Sequence, residues 1–217
     1  MKFVHTRIVL FTLLLTFSMA LHGQDMGNVG FRAGVTMPNG ILGTLLKPGN
    51  GFGIQFNSTY TFQVRKRFTI DYANFKSSGA SLISENYDNT IGGISPAIFT
   101  IKKLSRVDAS YGLDYKIFPE KLPWFYCGPE VLIGGDAVNL EYVSMASGGF
   151  EQSSELLIHT AYKLNFGYEK SFGPMNIFGE YSIMRMVTEY YDINAQNIPN
   201  GGIYHFINHK FTVGIKF

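Results

Sequence analysis

Hydrophobic residues recur at every second position along most of this chain. In "RVDASYGLDYKIF" (106–118), Val107, Ala109, Tyr111, Leu113, Tyr115 and Ile117 alternate with Asp108, Ser110, Gly112, Asp114 and Lys116. A period of two puts one set on each face of a β-strand. The same alternation runs through "NVGFRAGVTM" (28–37), "GFGIQFNSTYTF" (51–62), "RFTIDYANF" (67–75) and residues 125–142. It continues through 155–169, 176–187 and 203–217, where Phe211, Val213, Ile215 and Phe217 keep the period to the last residue. Eight strands are predicted. Their connections alternate short (63–66, 119–123, 170–175) with long (38–51, about 78–104, 143–154, 188–202).

Eight antiparallel strands with alternating short and long connections fit an up-and-down transmembrane β-barrel, with short turns on the periplasmic side and long loops outside. The stretch 88–104 leaves room for a further hairpin, and hence for ten strands. A soluble barrel would put the apolar parity inside, and two features argue for the inverse. Aromatic residues gather beside the short turns: Phe62 and Phe68, then Phe118 and Trp124, then Phe172, with Phe217 at the same level. That is the pattern of an interfacial aromatic girdle. The polar parity is mostly Gly, Ser, Thr and Asn with isolated charges of both signs, which suits a narrow interior filled by side chains. Arg32, Lys163 and Lys210 are expected to pair there with Asp71, Asp114, Glu130 and Glu180, because buried charge is costly unless paired. Arg185 is an exception, a cation on the apolar parity.

The hairpins "TYTFQVRKRFTIDY", "GLDYKIFPEKLPWFYCGPEV" and "NFGYEKSFGPMNIFGEYSI", with the terminal "FTVGIKF", resemble small outer-membrane β-barrel proteins of the OmpA-transmembrane and OmpX type. The resemblance covers the chain beyond its leader. It is one of pattern, without a diagnostic catalytic motif. It implies that the terminal strand is read by the barrel-assembly machinery during insertion. That role falls on Phe211, Val213, Ile215 and Phe217.

The first residues read as a leader rather than as part of the fold. Lys2 and Arg7 precede the apolar run 8–17, and Ser18-Met19-Ala20 supplies a small-residue cleavage site. Residues 1–20 are expected to be a signal peptide, with a cut as late as residue 23, and 21–217 the barrel. After residue 20, 16 Lys and Arg balance 16 Asp and Glu. Nucleic acid, which requires a basic face, is therefore not an expected partner. Cys127 stands alone, so no internal disulfide forms.

Catalytic and metal chemistry find little support. Lipid A deacylase barrels carry His-x-Ser-Asn on a late strand, whereas His205 here is followed at +2 by Ile207. His205 and His209, four residues apart on a strand, lie about 13 Å from one another, too far to share an ion. No cofactor is expected. The leading reading is a non-enzymatic outer-membrane protein with a structural, adhesive or partner-binding role through its outer loops, including Tyr190, Tyr191 and Asp192. Its expected partners are outer-membrane lipid, the assembly machinery during insertion, and an extracellular or envelope component. A narrow pore or lateral path for small solutes, and a lipid-modifying enzyme, are the alternatives.

Overall fold

The computed structural model describes residues 28–59, 61, 63–88, 92–189 and 203–217. Residues 1–27, where a signal peptide is expected, lie outside the described residues, as do Tyr60, Phe62, the Tyr190-Tyr191-Asp192 cluster and the side chain of His205. The elements are β1 (Val29–Pro38), α1 (Ile41–Leu45), β2 (Gly49–Thr59), β3 (Val64–Lys76) and β4 (Leu82–Asp88). They are followed by β5 (Gly93–Tyr115), β6 (Phe125–Ser144), β7 (Phe150–Phe172), β8 (Met175–Glu189) and β9 (Ile203–Lys216). Every pairing is antiparallel, and β1 joins β9 from Gly30↔Lys216 to Pro38↔Asn208, closing the sheet into a ring.

Eight strands make the ring. The ninth, β4, pairs only with the far part of β5, while β3 pairs directly with β5 from Val64↔Tyr115 to Lys76↔Lys103. A further hairpin therefore exists, but its added strand, Leu82–Asp88, precedes the expected stretch 88–104, and it stands above the barrel and does not widen it. Following the rungs from Phe31 through Ile54, Ile70, Ala109, Ile133, Thr160 and Val187 arrives at His205 on β9. The other partner of Phe31 is Ile215, so the stagger around the ring is ten residues, from 205 to 215. Eight strands with that stagger tilt by about 41° and enclose a cylinder of about 8 Å backbone radius, a space that side chains fill.

Outside one bulge the strands follow the alternation. On β7, His159, Ala161, Lys163, Asn165 and Gly167 are buried inward, while Leu156, Ile158, Tyr162, Leu164 and Tyr168 are exposed outward. A bulge at Lys102 shifts the β5 register between Ile101 and Lys103. It moves the buried set from Ser95, Ala97 and Ile101 to Leu104, Arg106, Asp108, Ser110 and Asp114. An extra residue in one strand reverses which parity faces in.

Residues 143–154 form no long loop. β6 and β7 run on as a hairpin turned over residues 145–149, where the Ser144 Oγ accepts from the amides of Ala146 and Ser147 and Gly148 adopts a φ of 69°. Side-chain capping and a left-handed glycine make a tight turn there. With β4 and β5, this hairpin gives a four-stranded extension, β4-β5-β6-β7, above the ring. Beneath it lies an apolar plug. Helix α1, in the β1–β2 loop, folds inward and sets Leu45 and Leu46 against Ala73, Phe75, Ile101, Leu104, Val138 and Leu140. The end at Asn28 and Phe217 is the terminal end, and the plugged end the far end.

Candidate functional site

Below the plug the interior is ionic. Starting at the terminal end, the Lys216 Nζ lies 2.6 Å from Glu169. Glu169 also takes Arg65 at 2.7 Å, and Arg65 reaches Asp114 at 2.8 Å. Arg67, fully buried, touches Asp114 at 3.1 Å, Glu130 at 3.3 Å and Glu180. Lys163 lies 2.7 Å from Glu130. One level around, Asp71 accepts from Arg32 at 2.9 Å and Lys210 at 2.7 Å, and Arg32 approaches Glu180 at 3.8 Å. Under the plug, Arg106 grips Asp136 while the His159 Nε2 lies 2.8 Å from Asp108.

The interior thus holds seven Lys or Arg (Arg32, Arg65, Arg67, Arg106, Lys163, Lys210, Lys216) and seven carboxylates (Asp71, Asp108, Asp114, Asp136, Glu130, Glu169, Glu180). Among the described residues this lattice is neutral when His159 is neutral. Six of the carboxylates have a Lys or Arg within 4.0 Å; Asp108 is engaged by His159 instead. Glu130 is the hub. Besides Arg67 and Lys163 it accepts from the Asn165 Nδ2 at 2.7 Å, the Thr69 Oγ1 at 3.1 Å and the Ser110 Oγ. Buried charges are tolerable when each is paired and its remaining lone pairs are filled.

Glycines allow close approach between neighbouring strands, as Gly167 and Gly134 show. A Cβ on Gly167 would sit 2.1 Å from the Tyr126 Cζ, and one on Gly134 would sit 2.3 Å from the Asp108 Oδ1 and 2.5 Å from the His159 Nε2. Gly167 gives the Tyr126 ring its seat, under Arg65, Arg67 and Lys216 at 5.2–5.8 Å, with its hydroxyl 3.1 Å from Glu180. Gly134 makes room for the His159–Asp108 contact.

All seven residues that parity placed inside stand on inward positions: Arg32, Asp71, Asp114, Glu130, Lys163, Glu180 and Lys210. They do not act alone, however. Arg65, Arg67, Arg106, Asp108, Asp136, Glu169, His159 and Lys216 complete the lattice. Each shares the inward parity of a residue already chosen on its strand or across the bulge, and that was the signal available. At the terminal end Phe118, Trp124, Phe172 and Phe217 are exposed, with Trp124 6.4 Å from Tyr168. Phe68 differs. It points outward but is buried, with its ring 6.2 Å from Phe56 and Tyr111 in register beside it. Neighbouring side chains cover it, so it contributes no exposed ring to a girdle. Phe211, Val213 and Phe217 are exposed on the outward face of β9, with Ile215 on the same parity.

No protein-family model matches the chain, and no curated protein matches it in sequence. Among solved structures it is similar to Neisserial surface protein A, with 14% identity and a TM-score of 0.44 over 87% of this chain and 94% of that one. It is also similar to Ail, the attachment invasion locus protein of Yersinia pestis (8% identity, TM-score 0.42, 88% and 98% covered). A third is a major outer membrane protein from Thermus thermophilus (11% identity, TM-score 0.47, 88% and 98% covered). The likeness is one of fold.

Proposed function

We propose that the chain is an integral outer-membrane barrel with a non-enzymatic role, carrying a partner-binding platform on the outer side of the membrane. The observation that carries the membrane reading is inverted polarity. The ion lattice points in, whereas Phe31, Phe52, Tyr162, Phe211 and Val213 are more than half exposed on the outside of the ring. A belt of that kind is rare on a monomer in water and favoured in lipid. The terminal end, with Phe118, Trp124, Phe172 and Phe217, is then periplasmic. Heat-modifiable gel mobility of the detergent-purified protein and its retention in outer-membrane fractions test this reading. Solubility without detergent would overturn it.

The platform is the four-stranded extension. On its outer face Ile83, Ile98, Val143 and Phe150 are successive rung partners across β4, β5, β6 and β7, and all four are exposed. A polar belt separates this row from the lower apolar surface. In it Lys102 lies 2.6 Å from Glu141, Gln152 donates to Glu141 at 3.0 Å, and Ser154 donates to Asn139 at 3.1 Å. An apolar row beyond a polar belt serves no lipid contact, which supports its use against an extracellular or envelope partner. Adhesion of bacteria displaying the wild type should fall for an I83S/F150S variant while barrel yield stays unchanged. Equal adhesion would remove the platform's role.

A pore would need open space that the side chains occupy. Arg67, Phe178, Lys216 and Met186 fill the interior, and Leu45 and Leu46 roof it. Planar-bilayer recordings are expected to give no steady channel. Expression should likewise leave lipid A acylation unchanged, since a lipid-modifying enzyme would alter it.

A further inference from the structure

We propose that Arg185, with His209 beside it, forms an outward-facing seat for the phosphate of an outer-leaflet lipid head group. The inference rests on the membrane reading above. Arg185 is exposed on the outward parity of β8, between the directly opposed Tyr162 on β7 and Ile207 on β9. Among the residues whose side chains are described, it is the one charged residue on an outward strand position with an aromatic or apolar rung partner on either side. The other outward charges are Lys66 and Lys170 towards the terminal end, and Lys76, Lys102, Lys103 and Glu141 towards the far end.

Its height follows from the register. Arg185 is ten residues above Met175, where β8 leaves the terminal turn. At the ring's tilt that is about 25 Å, the height of the apolar band of such barrels. Arg185 therefore stands at the outer margin of the band, where a long cationic side chain reaches head groups. At mid-depth the same charge would face hydrocarbon.

His209 supplies a second donor. It lies opposite Ile183 on the outward face of β9, diagonal to Arg185 across the β8–β9 pair. Its Nδ1 is 2.7 Å from the Tyr181 hydroxyl, and the two rings stack with an interplanar angle of 12°. A hydroxyl donating to Nδ1 leaves Nε2 to carry the ring proton. In that tautomer the ring N–H sits on a residue two positions along β9 from Ile207, the rung partner of Arg185. A planar cation with five donors beside a fixed imidazole N–H matches a phosphate monoester or diester. Tyr181 acts as a positioning residue.

The test is native mass spectrometry of the full barrel released from detergent, with phosphorylated lipid A and its dephosphorylated counterpart offered in turn. The wild type should retain the phosphorylated form, and R185Q should lose about tenfold of that retention. Binding of the dephosphorylated form should be the same for both. R185K should recover part of the loss, and H209F should fall between. Equal retention by R185Q and the wild type would overturn the site. Displacement of the lipid by inorganic phosphate alone would assign the site to a free anion and overturn the head-group identity. Heat-modifiable mobility of each variant reads insertion separately, so a failure of the membrane reading would appear there, in the wild type itself.

Discussion

Arg106 and Asp136 face each other as direct rung partners on β5 and β6, joined by two hydrogen bonds of 2.7 and 2.9 Å. The pair marks the floor of the plug. On one side is the ion lattice; on the other the Arg106 guanidinium lies 5.4 Å from the Phe75 ring centroid. Removing one partner leaves the other charged, buried and against apolar carbon. D136A is therefore expected to lose about 3–5 kcal/mol of folding stability. An R106M/D136L double variant, which removes both charges, should lose less. Urea unfolding of the micelle-bound barrel checks both, and equal losses would show that the ion pair carries no coupling.

Tyr126 and Gly167 make a tight steric match in the lower interior. Tyr126 belongs to β6 and Gly167 is its rung partner on β7, so the ring lies flat over the neighbouring backbone. G167A should push the ring aside, weaken its hydroxyl contact with Glu180 and cost about 1–3 kcal/mol. Y126F, which loses only the hydroxyl, should cost about 1 kcal/mol. A Y126L/G167A variant should be more stable than G167A alone if the ring's displacement is the cause. Unfolding midpoints of the three variants decide this.

Much of this was legible because a strand's parity is local information. Asp71, Glu130 and Lys163 fall on the inward face of their strands wherever the two-residue period is read. Lys102 breaks that logic. The bulge reverses the parity of β5, so the alternation of 106–115 cannot be extended back through 93–101, and the region read as a loop. Arg65 was hidden differently: it shares the inward parity of Asp71 but lies beside the turn at Gln63, before the stretch 67–75 that reads as strand, and its rung partner on the neighbouring strand is Asp114. Leu45 and Leu46 sit in a segment flanked by Pro38 and Pro48. Nothing local says that this segment folds back into the barrel, and its burial is a property of the closed ring.

The plug carries its own prediction. The α1 segment is held by backbone bonds from the Lys47 amide to the Lys76 carbonyl and from the Ser78 amide to the Leu45 carbonyl, both 2.9 Å. L45D places a carboxylate without a cationic partner among Phe75, Leu104 and Leu140, which burial makes strongly unfavourable. The plug should open locally while the ring persists. Hydrogen exchange at the Lys47 and Ser78 amides should accelerate, and that of the β6–β7 ladder around Glu130 should stay as in the wild type. Faster exchange throughout the ladder would mean that plug and ring unfold as one unit.

Phe217 stands where the last strand meets the first. Its amide donates to the Val29 carbonyl at 2.9 Å, its ring is exposed outward, and Lys216 beside it points in, with its Nζ 4.5 Å from the Phe178 ring centroid. Two roles are therefore separable on adjacent residues. Lys216 helps neutralise the lattice through Glu169, so K216M should lower equilibrium stability. Phe217 makes no ion pair and sits at the rim, so its deletion should cost little once the barrel is formed. If the terminal alternation is read by the assembly machinery, deleting Phe217 or appending charged residues after it should cut membrane-inserted yield in cells. Refolding of the same variants into detergent should proceed as for the wild type. Unchanged yield in cells would count against the assembly signal, and a parallel loss in vitro would assign Phe217 to ring closure instead.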